Sequence, residues 1–125
     1  MRRQLVQRLL LAFVAAGSLA TVQAVATDNP DHVKQLKETR KCSGCDLREA
    51  KLDGIVLELG DVSYSDLRLA SLYRANFQGA DLTGALFTGA NLSGADLRNT
   101  KGADLAGAQT DERTKCPDGS TGPCK

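Results

Sequence analysis

Two cysteine pairs, one histidine and a series of evenly spaced carboxylates are the residues of this chain whose types could do chemistry. Cys42-Ser-Gly-Cys45 has the C-x-x-C spacing of thiol–disulfide exchange centres, and Cys116 and Cys124 bracket the turn-rich run Pro-Asp-Gly-Ser-Thr-Gly-Pro. An exchange centre places the motif at a helix N-terminus, where the dipole lowers the first thiol's pKa. Here it follows the stretch read below as a helix, at the wrong pole, and no βαβ pattern surrounds it. A four-cysteine zinc site is disfavoured further, because seven residues separate the members of the second pair and the two pairs lie far apart in the chain. His32, the single histidine, has no nucleophile or carboxylate constellation beside it and reads as a helix-start residue. Asp46 and Asp66 are twenty residues apart, a spacing that the rest of the pattern turns into neighbours.

The element that positions these residues has a period of five. From Cys45 the chain parses without a gap into CDLRE, AKLDG, IVLEL, GDVSY, SDLRL, ASLYR, ANFQG, ADLTG, ALFTG, ANLSG and ADLRN, ending at Asn99. The third residue is apolar in all eleven units, and the first is small in ten, Ile55 being the exception. An α-helix turns about 100° per residue, so third positions would step by roughly 140° and leave no apolar face. In a flat strand an odd period would send them to alternate faces. The pattern works only if a corner resets the direction every five residues. Positions one and three then point to the same side, while positions four and five make the corner, with glycine at 54, 79, 84, 89 and 94. Such pieces wind into a solenoid.

The units ADLTG, ANLSG and ADLRN resemble the A(D/N)LXX signature of pentapeptide repeat proteins. The resemblance covers 45–99 in frame. It resumes after Thr100-Lys101-Gly102 as ADLAG (103–107) and a decayed AQTDE (108–112). It implies an all-β solenoid, a right-handed quadrilateral β-helix with four units per coil and about three coils, whose third and first residues point inward. A core of Leu, Phe, Val and Ala fills itself, which places any activity on the outer faces or the ends. No cofactor and no metal are expected, and nothing in the motifs points to an enzyme.

The expected organisation is a signal peptide over 1–26, a capping helix and linker over 27–44, the repeat array over 45–112 and a cysteine-closed tail over 113–125. Arg2, Arg3 and Arg8 precede the apolar run Leu9–Ala20, and Ala24-Val25-Ala26 has the small-x-small pattern of a cleavage site. An uncleaved anchor is the alternative, disfavoured because polar Thr21 and Gln23 follow the run directly. Asn29 and Pro30 form an N-cap and first position for a helix to about Arg40, with Val33 and Leu36 on one face to sit over the first coil. All four cysteines follow the leader in two local pairs, which favours the disulfides Cys116–Cys124 and Cys42–Cys45. Cys45 also occupies an inward first position, so the competing reading is a small buried residue without a bond. Pairing between the ends is the last alternative.

Twenty-residue stacking places Glu58, Gln78 and Arg98 in one ladder and Asp46, Asp66 and Leu86 in another, both read as solvated faces. Val56, Leu59, Tyr64, Leu69, Tyr73 and Leu86 break the polar outer pattern, the first five of them within the first coil and a half. They are a candidate interaction surface unless the helix covers them. Residues 45–112 carry eleven acidic and six basic side chains, a net charge of −5, which disfavours nucleic acid as a direct partner. The expected function is that of an exported, non-catalytic structural or protein–protein interaction module. No membrane insertion is expected after cleavage, the protein partner is unidentified, and a homodimer through the helix end or the apolar outer positions is a candidate. Similar proteins occupy the periplasm or the thylakoid lumen. Two alternatives stand beside this reading: a thiol–disulfide redox role for Cys42 and Cys45, and a DNA-mimicking topoisomerase binder, which the resemblance allows through an acidic β-helix.

Overall fold

The computed structural model describes residues 28–125, so the expected signal peptide, 1–26, lies outside the described residues. One helix, α1 (Pro30–Thr39), precedes a column of parallel β-bridges. Asn29 is the N-cap, its side chain accepting from the Asp31 and His32 N–H groups; Pro30 opens the helix and Arg40 ends it in the left-handed conformation.

The bridges have a fixed register of twenty from Lys41↔Asp61 to Asp81↔Lys101. Position two of each unit is the bridged residue. Its N–H donates to position one of the preceding coil, as from Asp66 to the Cys45 carbonyl at 2.9 Å. The N–H of position three donates forward, as from Leu47 to the Asp66 carbonyl at 2.8 Å. Within each corner, position one of the next unit donates back to position three, as from Ala50 to Leu47 at 3.2 Å. The corner therefore takes up positions four and five, and each side has one bridged residue where the all-β expectation suggests a strand.

Position five has positive φ in all eleven units, at glycines 54, 79, 84, 89 and 94 and at Glu49, Leu59, Tyr64, Leu69, Arg74 and Asn99. The left-handed region costs an L-residue roughly 1–2 kcal/mol, so the bulky corners need a compensating contact. They find it one coil on: a Cβ built at Gly79 would lie 2.7 Å from Leu59 Cδ2, and one at Gly89 would lie 2.6 Å from Leu69 Cδ2. Glycine is required at these corners both for its φ and because a side chain from the previous coil lies across it.

All eleven third positions, from Leu47 to Leu97, are buried, as are the small first positions except Ile55, which is half-buried. Phe77 and Phe87 meet edge to face across the column, ring centroids 6.1 Å apart. Leu36 of α1 joins this core with no exposed surface, and Val33 packs against it.

The ladder is longer than the expected array. Arg40-Lys41-Cys42-Ser43-Gly44 forms a side of its own, with Lys41 bridged and Cys42 buried at the central position, inside the stretch expected to be helix and linker. Lys115 bridges at the far end, so three of the four columns carry four rungs where about three coils are expected. Beyond Lys101 the register changes. Thr100-Lys101-Gly102 makes a side two residues short, and the next rung, Asn91↔Gln109, spans 18 residues. The following side is one residue longer than the repeat, giving Asp96↔Lys115. The interruption shortens a side instead of ending the ladder.

Candidate functional site

The aspartates and asparagines of position two are the side chains most able to do chemistry, and the corners engage them. Each accepts the N–H two residues on: Arg48 to Asp46 at 3.3 Å, Gln78 to Asn76 at 2.9 Å, Thr83 to Asp81 at 3.0 Å, Ser93 to Asn91 at 3.0 Å and Arg98 to Asp96 at 3.1 Å. This is the Asx turn, in which a short polar side chain replaces a backbone acceptor at a bend. It gives the D/N of the repeat a structural reason.

Where position four is arginine, the carboxylate also receives a two-pronged guanidinium. Arg68 donates Nε to Asp66 Oδ1 at 2.8 Å and a terminal nitrogen to Oδ2 at 2.6 Å, with similar geometry at Asp46–Arg48 and Asp96–Arg98. These guanidinium bonds hold Asp46, Asp66 and Asp96 below the ordinary carboxylate range, and the hydroxyls of Thr83 and Ser120 do the same for Asp81 and Asp118. Burial pushes Asp111 up, but the Arg113 N–H and guanidinium, the Gly94 N–H and the Thr114 hydroxyl outweigh it and bring the group to about 2. Asp46 and Asp66 do stack, yet both are ionised and each is paired with its own arginine. Neither has the raised affinity for a proton that a general acid needs.

The cysteines fall at the two ends of the column. Cys42 and Cys45 have Cα atoms 5.4 Å apart and Cys116 and Cys124 5.5 Å apart, both at disulfide distance. Cys42 has no exposed surface and Cys45 only 5 %, so an attacking thiolate has no approach to the C-x-x-C pair in the folded protein. Cys116 takes the central position of the last side, and Cys124 is half-buried.

His32 accepts the Asp46 N–H at Nδ1, 2.9 Å away, a role that the sequence does not reveal because the donor is fourteen residues distant. No group of three or more His, Cys, Asp or Glu side chains among the described residues is arranged to hold a metal.

Among the described residues, four of the five apolar outer positions in the first coil and a half stay exposed. Val56, Leu59, Tyr64 and Leu69 are 48–77 % exposed, and Tyr73 is half-buried beneath the Arg74 guanidinium, 5.2 Å from its ring centroid. They do not form one face. Successive units occupy successive sides, so the unit of Val56 and Leu59, that of Tyr64, that of Leu69 and that of Tyr73 are distributed around all four. A recess of about 430 Å³ opens at the other end, where Ala103, Leu105, Pro117 and the Cys116–Cys124 loop leave the shortened coil incompletely filled.

These features define a class: a four-sided solenoid with five-residue sides, a self-filled interior and corners held by side chains. Residues 65–101 and 85–109 match the Pentapeptide repeats family in 8 copies. Its members fold as right-handed quadrilateral β-helices and are generally non-enzymatic structural modules. Among solved structures the chain is similar to alr5209, a pentapeptide repeat protein from Nostoc Pcc 7120, at 24% identity, over 78% of this chain and 86% of that one, with a TM-score of 0.42. It is similar to Rfr23 of the cyanobacterium Cyanothece 51142 at 25% identity, over 68% and 97%, with a TM-score of 0.26. It is also similar to HetL of Nostoc sp. strain PCC 7120, a protein involved in heterocyst differentiation regulation, at 34% identity, 65% of this chain and a TM-score of 0.27; the match spans 51% of HetL. No protein of curated function matches the chain.

Proposed function

We propose that this protein is an exported, non-catalytic pentapeptide-repeat module that works through its outer surface and ends, as a structural element or by binding another protein. The observation that carries this reading is the engagement of the position-two side chains: the residues that could act on a substrate are held in the corners by the N–H groups two positions on. In this reading the column has four coils, α1 caps its first coil, and the Cys116–Cys124 loop closes the other end. Export is supported by the arginine-flanked apolar run before Ala24-Val25-Ala26 and by two cysteine pairs at bonding distance, since disulfides persist in oxidising compartments. The periplasm and the thylakoid lumen are the compartments that the family resemblance suggests.

Intact mass of the protein from its native host tests the exported half of the proposal. A chain starting at Thr27, lighter by four hydrogens and inert to alkylation under denaturing conditions, is the expected result; an uncleaved chain with reactive thiols contradicts it. Crosslinking in the same host tests the binding half. A discrete protein adduct that persists on purification is expected, and turnover of a substrate that depends on one surface residue would overturn the non-catalytic assignment.

A further inference from the structure

In the regular part of the column every bridged N–H finds a carbonyl one coil back, as Asp61 does at Arg40 and Ser71 at Ala50. Among the described residues the first coil has no coil behind it. Helix α1 supplies substitutes at two places on this rim. At Lys41 the Thr39 hydroxyl accepts the N–H at 3.1 Å, and the Gln35 side chain donates to the carbonyl at 3.0 Å. At Asp46 the acceptor is the His32 imidazole, and beside it the Asn29 N–H donates to the Asp46 carbonyl at 3.4 Å.

These two attachments differ in kind. Hydroxyl and amide groups do not titrate in the physiological range, whereas imidazole does. Nδ1 can accept the Asp46 N–H only through its lone pair, which requires the neutral tautomer carrying its proton on Nε2. We propose that His32 is a proton-operated latch that fastens the N-terminal half of α1 to the first coil and releases it when Nδ1 is protonated. A proton from solvent binds the Nδ1 lone pair, and the ring then presents N–H to N–H at Asp46. No covalent bond changes. The charged group facing the ring from the coil is Asp46, to which Arg48 is paired, with Asp66 in turn 3.9 Å from Arg48; Asp28 and Asp31 precede the ring on its own segment. The Asp46 carboxylate is already engaged by the Arg48 N–H and guanidinium, so it does not take over the fastening when the ring is charged. The anchor at Lys41 is untouched, so α1 opens from its N-terminal end about Arg40, lifting Val33 from the core before Leu36.

The test is solution NMR of the full mature chain between pH 8 and pH 5.5. At pH 8 the imidazole nitrogen shifts should report an unprotonated Nδ1, with the Asp46 amide proton shifted downfield by its bond. Lowering the pH should move that amide upfield and reduce the protection factors of the α1 amides at least tenfold, while Asp61 and Asp66 keep theirs. H32N places an acceptor oxygen near the position of Nδ1 and should hold α1 closed at both pH values. H32A should leave it open at both, and where H32A fails to fold, H32N alone decides. An Asp46 amide indifferent to pH in the wild type, or a wild-type pH response persisting in H32N, would overturn the latch.

Discussion

The two ends of the column close in different ways. At the first coil, α1 contributes a fully buried leucine, a packed valine and hydrogen bonds to the Lys41 and Asp46 rims, over a register of twenty that does not vary. At the last coil the register falls to 18 and recovers to 19, Gly102 stands where the repeat would place a leucine's side, and Leu105 is only half-buried beside an open recess. There the backbone ladder continues through Gln109 and Lys115, and the cysteine loop and a few side chains add to it, Thr114 and Asp111 bonding Gly94 and Thr110 bonding the Cys124 N–H at 2.9 Å. One end is covered by packed side chains, and at the other a cysteine pair lies at bonding distance beside an open recess. A solenoid that can stack each coil on the last needs a special device only where the stack stops.

The largest test of that contrast is a pair of truncations. Leu36→Ala should cost about 2–5 kcal/mol in chemical denaturation, because it empties a site with no exposed surface. Leu105→Ala, at the half-buried far end, should cost less than half as much. Equal losses would erase the distinction between the ends. A second substitution probes the seam between helix and coil. A Cβ at Gly60 would lie 2.6 Å from the Arg40 carbonyl oxygen and 2.9 Å from that of Leu57, both backbone atoms that cannot swing away. Gly60→Ala should therefore cost about 1–3 kcal/mol, measurable as a lower denaturation midpoint, and a neutral result would show that the seam is loose.

Much of this architecture is legible in the sequence. The period, the inward positions, the capped helix and the partners of the stacked residues follow from the spacing of apolar and small side chains. The first side, 40–44, does not, because arginine stands at its first position and cysteine at its centre, so that it lacks the apolar signature although its backbone follows the same path. The short side at 100–102 is ambiguous for the opposite reason: a three-residue interruption fits a bulge or a truncation equally, and only the pairing of Asn91 with Gln109 distinguishes them. Position-two aspartates read as surface charge, since their acceptor role depends on a turn whose geometry the sequence does not display. The outer apolar residues read as one patch until the four-sided winding distributes them around the perimeter.

Acid separates the ends further. The carboxylates at positions 46, 66, 81, 96 and 111 have lower pKa values folded than free, so their contribution is complete above the ordinary value near 4 and is lost as the pH falls through the folded values, to about 2 at Asp111. Stability should decline mainly below about pH 4, and Asp111→Asn should shrink the part of that decline read at the C-terminal coil, followed by residue-resolved NMR across the titration. An unchanged acid profile in the variant would remove Asp111 from the account. The smallest effect concerns the order of reduction. With graded reductant and alkylation, Cys124 should be labelled before Cys42 and Cys45, whose pair is buried under α1; simultaneous labelling would mean that the helix gives no shelter.

Residue-resolved amide exchange of the oxidised mature protein at neutral pH tests the difference between the ends most directly. High protection of the Asp61, Asp66 and Ser71 amides on the first seam, matching Asp81 and Leu86 in the middle, with a drop at Gln109 and Lys115, is the predicted result. Amides of the first seam that exchange as fast as those at Gln109 and Lys115 would contradict it, because the helix would then lie beside the column without sealing it.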